Sequence, residues 1–304
     1  MSALPQLDGD LFITDGRIET TLIFHQGIHL PEFASFVLLD DPAGIEALRA
    51  YYRTYVELAD RRGVGLVLDT PTWRANRDWG ERLGYAEEAL ADVNRSGVEL
   101  LEELRDAGPP VLISGCIGPR GDGYRVDSAM SADEAEEYHA LQIETFADSG
   151  VDLVSALTLT YSNEATGIVG AAERFGVPAV ISFTVETDGR LPGGQALGDA
   201  IEEVDAETGG AAAYFMVNCA HPTHLESVLE QAPWLERLRG LRANASKKSH
   251  AELDESEELD EGDPTELAGA YAELRERLPN LNVVGGCCGT DDRHIDAICA
   301  AVTR

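Results

Sequence analysis

Eight short β-type runs recur along the 304-residue chain, at 11–15, 64–70, 110–117, 151–158, 178–185, 212–219, 238–244 and 281–288. Between each pair lies a stretch with room for a helix. Several of the runs are apolar almost throughout, as strands covered on both faces should be. This alternation predicts an α/β protein, a (β/α)8 TIM barrel forming one domain over residues 1–304. A doubly wound open sheet is the competing arrangement. With 44% apolar residues there is ample material for a sizeable core, and no segment has the composition of a linker.

The helix-length segments carry their own punctuation. Amphipathic patterns run over 44–62, 80–107, 132–149 and 264–278. Ser131-Ala-Asp-Glu134 has the form of a capping box, and Asp263-Pro264 puts proline in a first helical turn. Gly63, Gly150 and Gly176 precede strands, where helices end in a left-handed residue. The acid-rich stretch 251–263 lacks the ligand spacing of a calcium loop and reads as a solvated loop or helix face between strands seven and eight.

Charge narrows the function. Fifty-five acidic residues stand against 23 basic ones, a formal net charge of −32. Such a surface repels nucleic acid and anionic membranes, so neither is expected as a partner. The excess is spread along the whole sequence, as suits a coat screened by a salty cytoplasm, and a halophilic source is expected. No run approaches the roughly 18 apolar residues of a membrane helix, and the start shows no secretion signal. Five cysteines make no disulfide framework. A cytoplasmic protein is the expectation.

Three of the five cysteines end predicted strands: Cys219 closes one apolar run, and Cys287-Cys288 close another. Strand ends are where parallel α/β folds place their chemistry. In a barrel, strands six and eight are separated by one strand, so the three sulfurs can meet. Three thiolates without a fourth protein ligand describe a zinc site with one position open. Successive strand residues point to opposite faces, so two adjacent ligands need a distorted backbone, which Gly285, Gly286 and Gly289 permit. Burial of the cysteines as small apolar groups is the bland alternative, and a vicinal disulfide is a third, though it ignores Cys219.

The stretches Val217-Asn-Cys219 and Gly285-Gly-Cys-Cys-Gly-Thr290 resemble the homocysteine S-methyltransferase family of zinc-dependent barrels, which includes the betaine-dependent enzymes. Asp15-Gly16 and Asp69-Thr-Pro-Thr-Trp-Arg-Ala-Asn76 support the match, which spans essentially the whole chain. The resemblance implies that Cys219, Cys287 and Cys288 bind Zn(2+) and that a thiol substrate completes the tetrahedron. The reaction implied is in-line transfer of a methyl group from an onium-type donor to a small thiol, homocysteine giving methionine. It also implies that Asp15 positions the acceptor, as the catalytic candidate. Gly16, Glu19, Trp73, Thr158 and Asn244 are candidate substrate-binding residues around it. For the cationic donor, Trp73, Tyr161, Asp69 and Glu186 offer an aromatic or acidic wall.

Two departures from the family stand out. Leu157-Thr158 occupies the place of a usual Glu-Thr, whose glutamate holds the substrate's amino group. Glu19 stands where a small residue is usual; Glu19 or Glu186 is the candidate replacement for the missing carboxylate. Asn218 is expected to orient the metal site, while His221 and His224 are weaker candidates as ligands. A zinc hydrolase and a non-catalytic zinc protein are the alternative functions. The methyl donor is not readable: betaine, S-methylmethionine and S-adenosylmethionine all fit.

Overall fold

The structure is a computed structural model and describes residues 4–105, 108–126, 128–229, 232–256 and 259–303. Its eight strands close into a barrel in sequence order: β1 (Phe12–Ile13), β2 (Gly65–Asp69), β3 (Val111–Ile117), β4 (Leu153–Leu159), β5 (Ala179–Thr184), β6 (Tyr214–Ala220), β7 (Leu238–Ala243) and β8 (Val283–Gly286). All neighbouring pairs are parallel, and β1 closes the ring by pairing with β8. The expected eight-stranded barrel is therefore the fold, and the open sheet is not. The expected strand runs overshoot the observed strands by a residue or two at most ends, because side-chain pattern does not mark where pairing stops.

Almost every strand residue is buried, which explains the continuous apolar runs: helices cover one face and the other fills the barrel. Phe12, Val67, Leu112, Leu153, Val180, Tyr214, Met216 and Val283 form a cluster inside the barrel, separate from the larger core beneath the helices. Small residues make room for large ones. A Cβ on Gly65 would overlap the Phe12 ring, and one on Gly240 would overlap Met216.

The helical layer comprises α1 (Pro42–Arg62), α2 (Arg77–Arg82), α3 (Glu87–Glu102), α4 (Ala132–Asp148), α5 (Ser162–Phe175), α6 (Leu197–Thr208), α7 (His250–Asp254), α8 (Pro264–Arg277) and α9 (Asp292–Val302). The Ser131–Glu134 capping box opens α4, and Asp263 accepts from Thr265 N and Glu266 N ahead of Pro264 in α8. Gly63, Gly150 and Gly176 all have positive φ, as expected. The segment 80–107 is two helices rather than one. Gly84, at φ 84°, turns the chain between α2 and α3, and α3 ends at Glu102. The described part of the acid-rich segment is, as expected, a largely solvated short helix and loop between β7 and β8, and its Leu253, Leu259 and Asp260 also line a cavity. No helix among the described residues is long and apolar enough to cross a membrane.

Candidate metal centre

The sulfurs of Cys219, Cys287 and Cys288 lie within 4.8 Å of one another. Four sulfurs held tetrahedrally at 2.3 Å from zinc would sit about 3.8 Å apart, so the triangle is of the right size. Cys219 and Cys287 are buried and Cys288 is half-buried, so the cluster is open on one side.

Backbone distortion aims these side chains. Cys219 has φ +56°, and the β6–β7 register shifts between Asn218 and Ala220. A bulge of this kind re-aims a side chain that a regular strand would point elsewhere. A left-handed conformation costs a non-glycine residue roughly 1–2 kcal/mol, so something must hold it. Asn218 does. Its Oδ1 accepts from Thr158 N and Ser182 Oγ, both at 2.7 Å, and its Nδ2 donates to Thr158 Oγ1 at 2.8 Å and to Cys219 Sγ at 3.2 Å. Thr158 is itself left-handed, at φ +66°, beside a second register shift between Ala156 and Leu159.

The cysteine pair is shaped differently. Cys287 O accepts from Thr290 N at 3.1 Å, closing a turn in which Gly289, at φ +77°, holds the third position. That position favours glycine when φ is positive. Asn244 stitches the two ligand segments together: its Nδ2 donates to Cys219 O at 2.9 Å and its Oδ1 accepts from Cys288 N at 3.1 Å. Of the three glycines expected to free the backbone, only Gly289 has positive φ; Gly285 and Gly286 lie in regular β8, where a Cβ would meet Thr14 and Thr290, and Cys219 reaches its position without a glycine.

The charge balance of the cluster calls for a cation. Hydrogen bonds from Cys219 and Cys288 hold the Cys287 thiol well below the usual range despite burial. The same bond to Cys287 pushes Cys219 up to about 12, and Cys288 is likewise raised by Cys219 and Cys287. Thiolates crowded in a buried site repel one another, and a dication among them would offset that repulsion. A soft, small donor set of this kind suits zinc. Tyr124, on the loop after β3, donates to Cys219 Sγ at 3.5 Å and lies 3.7 Å from Cys288 Sγ. Burial, then the cysteines, keep its phenol protonated. His221 and His224 do not join the three sulfurs: His221 Nδ1 contacts Thr223 Oγ1 at 2.8 Å, and His224 Nε2 contacts Lys247 O at 3.0 Å.

A buried ionic knot lies beside the centre. Arg242, on β7, pairs with both Asp15 and Asp69 and donates to Gly16 O at 3.1 Å and Gly286 O at 3.2 Å. Tyr51 Oη donates to Asp15 Oδ2 at 2.7 Å. Burial opposes the Arg242 charge, but the two carboxylates outweigh it. Burial raises Asp69, with one guanidinium shared between two acids. Asp15 and Gly16 therefore sit in this knot, adjacent to the cavity rather than on its wall.

The cavity holds about 310 Å³ and opens beside Cys288. Of the sequence candidates, Glu19, Trp73 and Asn244 line it, while Thr158 is enclosed behind the cysteines with Asn218. Of the four donor-wall candidates, only Trp73 is in place. Tyr161 Oη accepts from Met130 N, Asp69 is tied to Arg242, and Glu186 forms a turn with Gly189 and Arg190. The Trp73 ring already has cationic neighbours, Arg17 at 4.9 Å and Arg74 at 4.2 Å. Burial raises the Glu19 carboxyl, which pairs with Arg17. Arg17, Arg74, Tyr124, Phe24 and Phe33 also line the cavity and were not singled out from sequence. Arg74 falls inside one of the motifs read there and Arg17 directly follows the other, whereas nothing in the sequence marks Tyr124.

Known proteins agree with this architecture. A family model described as homocysteine S-methyltransferase matches residues 12–302. The chain is 26% identical to homocysteine S-methyltransferase YbgG of Bacillus subtilis (strain 168), covering 95% of this chain and 94% of that one. It is 22% identical to homocysteine S-methyltransferase 4 of Zea mays, covering 97% and 90%. Its fold is similar to the metallated form of the homocysteine methyltransferase MmuM from Escherichia coli, with a TM-score of 0.77, 21% identity, and 97% and 98% of the two chains covered. The chain belongs to the homocysteine S-methyltransferase family, methyltransferases acting on a thiol acceptor.

Proposed function

We propose that this chain is a zinc-dependent homocysteine S-methyltransferase that takes its methyl group from an onium donor and yields methionine. The observation that carries the reading is the convergence of Cys219, Cys287 and Cys288 beside a cavity of small-molecule size. When bound by these residues, zinc would keep a substrate thiol deprotonated at neutral pH, where a free thiol of pKa about 8.5 is mostly protonated.

The rest is work for the chain's own residues. Asn218 holds the Cys219 sulfur and Asn244 holds the Cys288 amide, so the ligands are set before substrate arrives. Arg242 fixes the Gly16 carbonyl through the Asp15 knot, giving Asp15 a positioning role from behind the wall. The Trp73, Arg17 and Glu19 wall receives the acceptor, with Phe24 and Phe33 at the exposed rim available to an incoming cation. Alignment of the two reactants contributes several kcal/mol of the lowered barrier. The free thiols suit a reducing cytoplasm, and the −32 net charge suits high salt.

The test is direct. Purified protein is assayed for zinc, then incubated with homocysteine and betaine, S-methylmethionine or S-adenosylmethionine, with mass spectrometry for methionine. Replacing Cys219, Cys287 or Cys288 by serine should remove both metal and product. Undiminished product from a metal-free serine variant would overturn the reading, as would no methylated thiol from any donor.

A further inference from the structure

Two arginines share one aromatic ring on the cavity wall, and one of them lacks a carboxylate partner. Arg17 is paired with Glu19. Arg74 forms no ion pair with any described residue. Its Nη1 donates to Gly121 O at 3.0 Å, and its guanidinium stacks on Trp73 at 4.2 Å and on Trp79 at 3.7 Å. The side chain is only 9% exposed, and Nε has no partner among the described residues. A buried N–H of a charged group is costly to leave unsatisfied. The nearest acids act on it only at a distance: Asp122 accepts from Tyr124 N, and Glu19 serves Arg17. Burial, then the charge of Arg17, pull the Arg74 guanidinium down to about 10.

The wall is unequal in what it offers a substrate. Its carboxylates are already engaged: Glu19 by Arg17, Asp122 by Tyr124 N, and Asp260 by Ser246 Oγ at 2.8 Å and Lys248 Nζ at 3.1 Å. The guanidinium of Arg17 lies close enough to feel all three cysteine sulfurs, and Arg74 continues outward along the same ring. A molecule whose sulfur meets the metal ligands therefore has cations, not free anions, waiting for its other end.

We propose that Arg74, backed by Arg17, is an anion subsite for the carboxylate of the acceptor thiol, which this enzyme reads by that carboxylate and not by an ammonium group. The inference rests on the methyl-transfer reading and deepens it by naming the class of acceptor, a mercapto-carboxylate. Guanidinium and carboxylate match in planar, two-pronged geometry, and the stacked indoles hold the guanidinium flat for it.

Two truncated relatives of homocysteine test this on the unaltered holoenzyme. 4-Mercaptobutyrate keeps the carboxylate and lacks the amino group; 3-aminopropanethiol is the reverse. With the donor that supports turnover, kcat/KM for 4-mercaptobutyrate should stay within about threefold of homocysteine, and for 3-aminopropanethiol fall at least about thirty-fold. Arg74→Gln should impose about that loss on both carboxylate thiols and leave 3-aminopropanethiol within about threefold, with Arg74→Lys recovering part of it. Calorimetric titration with 4-(methylthio)butyrate should show binding to wild type and none to Arg74→Gln. That readout separates the two ideas: titration that depends on Arg74 without any thiol being methylated sinks the methyl-transfer reading and leaves the subsite standing. The proposal is overturned if wild type prefers 3-aminopropanethiol, if Arg74→Gln harms all thiols equally, or if its effect is confined to the KM of the donor.

Discussion

Asn218→Ala offers the sharpest check on how the metal centre is held. The wild-type amide accepts from the buried Thr158 N and Ser182 Oγ and donates to Thr158 Oγ1 and Cys219 Sγ. Thr158 and Ser182 are fully buried, so no water replaces what is lost. The Ser182 hydroxyl can rotate toward another acceptor; the Thr158 N–H cannot. Leaving one such donor unsatisfied costs about 1–3 kcal/mol, and loss of the remaining bonds brings the total to about 2–4 kcal/mol of folding stability. Freed of its clamp, Cys219 would relax from φ +56°, and metal affinity should fall about 10- to 100-fold. Urea unfolding of metal-free protein in molar KCl reads the first effect, and competition against a chromophoric chelator reads the second. Asn218→Asp keeps the acceptor but sets a carboxylate beside the Cys219 sulfur, so it should lose less stability than alanine while still losing metal affinity. An alanine variant within about 0.5 kcal/mol and twofold of wild type on the two measures would refute the clamp.

Other expectations follow from the same geometry. The buried His221 is pulled down to about 4, by burial first and then by His224, against an unfolded value of about 6.5. Between those values the unfolded chain binds the proton and the folded one does not, so His221 should cost stability as pH falls from about 6.5 to 4, by up to about 3 kcal/mol. His221→Asn, which keeps a cap for Thr223 N, should flatten that part of the urea-stability profile. Gly285→Ala would drive a Cβ into Thr14 Oγ1 and should lower stability by about 1–3 kcal/mol, read as a reduced urea midpoint at unchanged slope. Thermal stability should rise with KCl well beyond the range that screens ordinary surface charge, since 55 acids face 23 bases; a flat or falling profile argues against salt adaptation.

Much of the fold was legible because short, nearly continuous apolar runs alternate with amphipathic helix-length segments, and each is written in buried residues. The capping box at Ser131 and the Asp263-Pro264 start are local chemistry and need no tertiary context. The α2–α3 break was not read, because Gly84 lies inside a pattern whose apolar spacing continues across it. At the site, the sulfurs were legible from their position at strand ends. The means of aiming Cys219 was not, since a left-handed cysteine held by the preceding asparagine leaves no compositional trace. Arg242 looked like an ordinary residue on a strand, yet it occupies the acids at positions 15 and 69 that seemed free for substrate. Charge pairing across 173 and 227 positions of chain is a property of the closed ring, not of any window of sequence.

The first strand is only two residues long, and it is the stave that closes the ring against the strand carrying Cys287 and Cys288 at its exit. Main-chain bonds carry the joint past the stave's end, from Thr14 N to Val284 O and from Gly286 N to Asp15 O, and Arg242 with its acids braces the same place. The joint and the metal ligands thus share one short stretch of polypeptide. Whatever grips those sulfurs also tightens the hoop, so loading the ion should slow amide exchange at Phe12, Ile13, Val283 and Val284 more than on the far side of the barrel.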